Sequence, residues 1–343
     1  MEHDTWCSIH SNWRRDIAAV IVIALSILFL ASGCKPNKHE SNPILPEPAD
    51  TLQLQHLTAP TSQHLNVIRA ISNVIYLAGD DGYLYRGDPR FGLQAIELPT
   101  NTTVWDILKH GNYTFVFGEE GTIYRSNFGD DWIIKRQGDP GQQFHHAKID
   151  GNNRIWALGS NVGPYVSADE GESWILYDQF GGTSVTGFYS IEFFPNARRG
   201  YIATGVQAFR TYDNGNLWNG PIAIEATPND ILFFGADEMM MGCSNGTILR
   251  SYNFGGSWER ANIPALVSER INRIIEVPND GYVAISGFYN PDDERHGRIW
   301  QSFDKQNWFL IADVDHEIRD IAVEPTQGIF VCGTDGFFGK LAH

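Results

Sequence analysis

Seven residues of this sequence could do ionic chemistry at one recurring position. Arg69, Asp106, Lys148, Glu192, Asp230, Arg273 and Asp320 each stand just before an apolar residue inside a short strand-like run. Where such runs converge, the seven side chains would form a charged ring. A ring of that kind either salt-bridges to itself in a wet channel or holds a polar ligand at the channel mouth. Asp169 and Glu172 lie close enough in sequence to suggest a carboxylate pair, but their context makes them turn residues. His145 and His146 are neighbours on a strand, where side chains alternate between faces, so both cannot readily hold one metal. Cys243 and Cys332 end strands of separate repeats, too far apart to bridge, and are expected as buried thiols. No Cys/His spacing suggests zinc, and no nucleophile elbow appears. No catalytic residue, metal or cofactor is therefore assigned.

The elements that would position the ring are marked by a repeated turn. Its fullest copy is Ser167-Ala168-Asp169-Glu170-Gly171-Glu172-Ser173-Trp174. In the pattern S-x-D-x-G-x-x-W the short carboxylate accepts backbone N–H groups and closes the turn. Glycine supplies a positive φ, and the tryptophan carries a large ring onto the following strand. Thr211, Asp213, Gly215 and Trp218 form a second copy, and Ser251, Asn253, Gly255 and Trp258 a third. Degenerate copies run from Arg125 to Trp132 and from Ser302 to Trp308. Successive tryptophans from Trp132 to Trp174, Trp218 and Trp258 are 42, 44 and 40 residues apart, and the gap to Trp308 is 50. The longer last gap contains a polar insertion at residues 289–296, expected as an exposed loop.

This motif resembles the Asp-box, or BNR repeat, of sialidase-type β-propellers, over roughly residues 50–341. The resemblance implies that the box residues are structural and lie away from any active site. Sialidases of that kind also use an arginine triad, a tyrosine nucleophile and an Arg-Ile-Pro-type motif. No Arg-Ile-Pro occurs here, and Arg69-Ala70-Ile71 does not match it. Gly121-Thr122-Ile123-Tyr124-Arg125-Ser126 and Asn245-Gly246-Thr247-Ile248-Leu249-Arg250-Ser251 are similar to the repeat core of the photosystem II assembly and stability factor family. That family's lipoprotein propellers bind a membrane-protein precursor.

From residue 51 the sequence divides into units of one plan: an inner strand, a second strand ending in glycine, a third strand, the turn, and a fourth strand. Seven units follow one another, with inner strands near residues 67–71, 104–108, 146–149, 189–193, 230–234, 271–277 and 318–323. The seventh lacks its fourth strand, while an orphan strand at residues 52–57 precedes the first. A ring explains both, because the orphan completes the last unit and removes an open edge. The expected fold is all-β: a single seven-bladed propeller of four-stranded antiparallel blades, the last closed by the N-terminal strand. In that fold the inner strands line an axial tunnel. Arg86, Arg125, Arg210 and Arg250 share one place on the third strands, and their repetition suggests that they bond turn carbonyls or stack on aromatic rings.

Upstream, residues 17–30 form an apolar run broken only by Ser26, followed by Ala31-Ser32-Gly33-Cys34. The run is short for a membrane span and suits a signal-peptide core. The small residues before cysteine resemble a bacterial lipobox. That resemblance implies cleavage after residue 33, acylation of Cys34 and firm membrane attachment through a lipid anchor; an uncleaved anchor is the alternative. Residues 34–50, rich in proline, form a tether without core-forming content, and residues 51–343 the propeller. A net charge of −16 argues against nucleic-acid binding. The expectation is a non-catalytic lipoprotein of the bacterial envelope, facing periplasm or exterior, that binds a protein partner through a propeller face. The rival is a glycan-binding or glycan-cleaving propeller.

Overall fold

A computed structural model of the chain describes residues 51–180, 185, 187–195, 198–289 and 295–343. Cys34, the leader and the tether lie outside the described residues, as does the centre of the insertion at residues 290–294. The described residues form seven four-stranded antiparallel sheets. Blades 1 to 6 span residues 65–96, 104–136, 143–176, 190–223, 228–260 and 270–314. Blade 7 takes three strands from residues 318–342 and its outermost strand, Gln53–His56, from the other end of the propeller sequence. That clasp pairs with Phe338–Ala342 from Gln53 opposite Ala342 to His56 opposite Gly339. Leu52 is buried with Leu341, Val331 and Val283, and its N–H donates to Gln301 Oε1 of blade 6 at 3.0 Å. The clasp therefore ties two blades as well as finishing one.

The insertion departs from the expected loop. The strands Gly281–Tyr289 and Arg295–Ser302 pair continuously out to Tyr289 opposite Arg295, so its ends lengthen a hairpin. Both flanks can keep hydrogen-bonding one another, which costs less than leaving their backbone groups unpaired.

The turns work by local hydrogen bonding. Ser167 Oγ accepts the Gly171 N–H at 2.8 Å, and Asp169 Oδ1 accepts the Ser173 N–H at 2.9 Å. Thr211 and Asp213 do the same for Gly215 and Leu217 at 2.8 and 2.9 Å. Ser251 and Asn253 do it for Gly255 and Ser257, both at 2.8 Å. Ser173, first through its hydroxyl and then through its amide, holds the Asp169 carboxyl below the usual range. Glu172 turns away to Lys135 and Arg125 of the preceding blade. The two acids are turn parts and not an acid–base pair.

Each turn is also the contact between blades. Gly171 has φ +78°, and a Cβ there would lie 2.3 Å from Phe115 of blade 2, so glycine serves both the turn and the close approach. Trp174 packs on Phe115 and Phe117, Trp218 on Trp156, and Trp258 on Tyr201, with ring centroids 5.7–6.4 Å apart. Among the described residues the indole N–H groups of Trp132, Trp174, Trp218, Trp258 and Trp308 are buried without an acceptor. These rings hold by apolar contact alone.

Arginines complete the joint. Arg86 donates to Phe128 O at 2.9 Å, Arg125 to Glu170 O at 2.7 Å and Arg210 to Phe254 O at 3.3 Å, each in the next blade's turn. Blade 3 has Val166 at that place, and Arg154 deputises by reaching Asn214 O at 2.6 Å. All four acceptors belong to a residue with positive φ, so the guanidinium bonds the carbonyl of the most strained residue of the turn. Arg250 instead meets Tyr252 Oη at 3.0 Å and Glu259 at 3.3 Å, beside a blade 6 turn that lacks the glycine.

Two outcomes follow from these joints. Deleting residues 51–59 should abolish the single cooperative unfolding transition and lower the melting temperature by at least about 10 °C; an unchanged calorimetric trace would contradict ring closure. Arg125→Met should lower stability by about 1–3 kcal/mol, because it leaves Glu170 O without its donor. Urea unfolding would show this as a lower midpoint with an unchanged slope.

Candidate functional site

The inner strands are not regular. Six of the seven skip a residue in their pairing with the second strand, always near their start. The skipped residues are Asn66, Trp105, His145, Asn229, Asn272 and Arg319; in blade 4 the same place is held by Tyr189, just before its strand. A bulge re-aims a side chain, and here all seven face one cavity of about 310 Å³ at one end of the axis. In four blades a glycine near the end of the second strand makes room, while blades 5 and 6 carry Cys243 and Ser286 there. A Cβ on Gly159 would sit 1.4 Å from Gln143 O, the carbonyl that begins the bulged strand. Gly79, Gly118 and Gly333 occupy the same place.

The bulge residues knit neighbouring blades. Asn66, Asn229 and Asn272 donate from Nδ2 to the carbonyls of Val104, Ile271 and Ile318, at 3.1, 3.2 and 2.6 Å. In each case the acceptor is the residue just before the next bulge. Arg319 donates to Asn66 Oδ1 and to Glu317 at 3.1 Å, and Arg270 donates to Glu317 from the other side at 3.0 Å. Trp105 Nε1, His146 Nε2 and Asp320 Oδ1 are buried without a hydrogen-bond partner among the described residues. All three belong to residues lining the cavity, so part of its hydrogen-bonding capacity is unspent. Tyr189 stands exposed at its mouth.

The seven charged residues named from the sequence fall into two tiers below this rim. Asp106, Asp230, Arg273 and Asp320 follow the bulge directly, where the other blades carry Val67, His146 and Ser190. Arg69, Lys148 and Glu192 lie two residues deeper on the same face of their strands. Arg69 bridges Asp106 and Asp320, Lys148 pairs with Glu192, and Arg273 Nε lies 3.5 Å from Asp320. Three aspartates also accept an N–H of the following blade. Asp320 takes that of Ile68 at 2.9 Å, Asp106 that of Ala147 at 2.8 Å, and Asp230 that of Ile274 at 2.8 Å. Burial works against the Arg273 charge, but Asp320, Asp230, Asp106 and Glu192 outweigh it and raise its pKa. Burial pushes the Asp230 carboxyl up, opposed by Arg273 and then Lys148. These charges mostly satisfy one another, and of the seven Arg69, Arg273 and Asp320 line the cavity, beside His146.

Hydrolysis would need a carboxylate able to carry a proton to a leaving group. Glu317 has both oxygens engaged by arginine, and Asp320 takes Arg69 and the Ile68 amide on Oδ2, with Arg273 Nε 3.5 Å from its Oδ1. Cys243 and Cys332 are free and buried. Among the described residues no cluster of three or more His, Cys, Asp or Glu side chains is placed to hold a metal ion. The cavity offers arginine donors, an indole N–H, amides, imidazoles and two aromatic surfaces, which is the equipment of a binding site.

No family model and no curated protein matches this sequence. Solved structures do share the fold. A structure of YCF48 bound to D1 peptide is 16% identical, covers 88% of this chain and 98% of its own, and has a TM-score of 0.65. YCF48 from Cyanidioschyzon merolae is 14% identical, with 84% and 98% covered and a TM-score of 0.65. A streptogramin B lyase is 14% identical, with 85% and 97% covered and a TM-score of 0.64. At these identities the likeness concerns the propeller fold, which carries both peptide binding and lyase activity.

The two cavity histidines give the site a pH signature. Burial pulls His145 from 6.5 down to about 4, against the attraction of Asp106. Burial, then Lys148 and Arg273, puts His146 well below its usual value. The unfolded chain takes up these protons near pH 6.5, while the folded chain refuses them, so acid favours unfolding. Stability should therefore fall as pH drops from 6.5 towards 4, by up to about 1.4 kcal/mol per pH unit for each histidine. Replacing His145 by Asn should flatten that slope in urea melts taken across the window; an unaltered slope would show that His145 is not the group responsible.

Proposed function

We propose that this chain is a non-catalytic lipoprotein of the bacterial envelope, acylated at Cys34, that captures a segment of a protein partner in the bulge-lined funnel. The observation carrying this is the funnel itself. Every blade contributes one residue to it, six of them diverted from their ladders by a bulge, Glu317 has both oxygens on arginine, and polar atoms on its wall remain unspent. An extended segment brings backbone N–H and C=O groups that suit such mixed donors and acceptors, and apolar side chains that suit Trp105 and Tyr189. The YCF48 structure bound to a D1 peptide shows that a propeller of this shape can hold a peptide. Glycan binding is the second reading, favoured by the same two aromatic rings, on which a sugar could stack.

The charged tiers are poor places to test this. Removing Arg69 would strand the buried Asp106 and Asp320 and threaten the fold. Tyr189 is exposed and holds no buried charge, so its loss should spare it. A photo-crosslinking side chain at position 189 of the full chain should trap a protein partner in native envelopes. Tyr189→Ala should cut capture at least about tenfold, a loss of some 1.4 kcal/mol, with an unchanged melting temperature. Cys34→Ser should release the chain into the soluble fraction. Adducts with glycan alone, or capture unaffected by Tyr189→Ala, would overturn protein binding at the funnel.

A further inference from the structure

The strand order gives the ring two unlike faces. Every inner strand starts at the funnel, so the turns joining first to second and third to fourth strands emerge on the opposite face. On that opposite face the third-to-fourth turns carry exposed aromatic tips. Phe91 is 87% and Phe128 68% exposed, and Tyr252, Tyr212 and Phe303 are 48, 47 and 44% exposed. They belong to blades 1, 2, 5, 4 and 6. Blade 3 carries Ala168 and Glu170 in the corresponding turn. Blade 7 has instead the gap between its third strand and the clasp, where residues 51–52 enter the ring. Leu52 bonds Gln301, which donates to Asp280 O at 3.1 Å, and His343 Nε2 lies 2.8 Å from Asp280 Oδ1. The entry point thus sits among the turns of the aromatic face.

The geometry points to this face as a docking surface for a zwitterionic lipid bilayer, with the funnel directed away from it. Single rings held on separate rigid blades are spread around a rim, which fits an extended flat partner and not a peptide or a knob. Aromatic rings partition to the boundary between lipid headgroups and chains. The chain before residue 51 includes the uncharged apolar run 17–30 and Cys34, and it joins the propeller at this face. Charge selects the lipid. Arg90 and Arg86 offset Asp88 and Asp130, each at 2.6 Å, while Asp169, Asp213 and Asp304 are bonded within their turns and stay anionic. The residual negative charge would be repelled by anionic lipid and tolerated by phosphatidylcholine. The inference shares the lipid attachment proposed above and is independent of what the funnel binds.

Hydrogen exchange on the full chain, floated on phosphatidylcholine vesicles, tests it. Amides of turns 89–91, 128–130, 212–214, 252–254 and 303–305 should exchange at least about tenfold more slowly than in a variant carrying Phe91→Ser, Phe128→Ser, Tyr212→Ser, Tyr252→Ser and Phe303→Ser, with funnel amides alike in both. The variant should float and melt as the parent does. A chain that floats with no protection at these turns, or with protection at the funnel instead, overturns this inference and leaves the funnel's role standing. Protection that appears only at high protein density identifies a second copy as the occupant and likewise overturns it. A chain that does not float removes the lipid attachment and this inference together.

Discussion

The structure depends on a chain closing a ring upon itself. A four-stranded blade is too thin to bury both faces alone, and each core cluster accordingly draws on two neighbouring blades. A linear stack would leave a bare face at either end. Closure removes both, provided the last blade is complete, and the strand Gln53–His56 supplies what blade 7 lacks. Residues from the two ends of the propeller sequence thereby share one ladder, so local opening of blade 7 would expose its neighbours on both sides. The contact of Leu52 with Gln301 spreads that dependence to blade 6.

Between blades the same few atoms recur. A turn residue with positive φ offers its carbonyl to an arginine of the preceding blade, the next residue is a glycine pressed against that blade's aromatic ring, and the tryptophan covers the ring. At the axis, an aspartate after the bulge takes an amide of the following blade, and an asparagine in the bulge takes a carbonyl. Joints at both rim and axis fix the blade angle. They also explain why so much charge at the axis leaves little free: apart from Asp320 Oδ1, the cavity carboxylate oxygens are spent as acceptors for amides and arginines before any ligand arrives.

What could be read from the sequence was whatever is local and repeated. The turns were legible because Ser167, Asp169 and Gly171 act within a few residues of one another. The clasp was legible because a spare strand and a missing one are countable. Arg86, Arg125 and Arg210 stood out by recurrence, yet Arg154 did not, because it reaches the same acceptor from a different strand. The funnel was missed. Reading each inner strand as an unbroken alternation singled out charged residues such as Arg69 and Lys148, passed over Asn66, Trp105 and Arg319, and set His145 and His146 on opposite faces, although the bulge brings both to one cavity. Part of the signal lay in the glycine near the end of the second strand in blades 1, 2, 3 and 7, noted as a strand end and in fact marking where a carbonyl crosses too closely for a Cβ. Nor could register reveal that Tyr289 and Arg295 pair, since strand length is decided by the partner.

A fold assembled this way separates scaffold from specificity. The repeated positions are committed to holding the ring and can change little without loosening a joint. The bulge position is free to differ, and it does: amide, indole, imidazole, phenol and guanidinium appear around one circle, no two neighbours alike except Asn229 and Asn272. A ring built only for stability would have repeated one side chain there, as it does with glycine and tryptophan at the turns. Five different chemistries at seven positions, converging on a space of about 310 Å³, describe a surface shaped for an asymmetric ligand, and a stretch of polypeptide, with unlike groups along its length, is such a ligand.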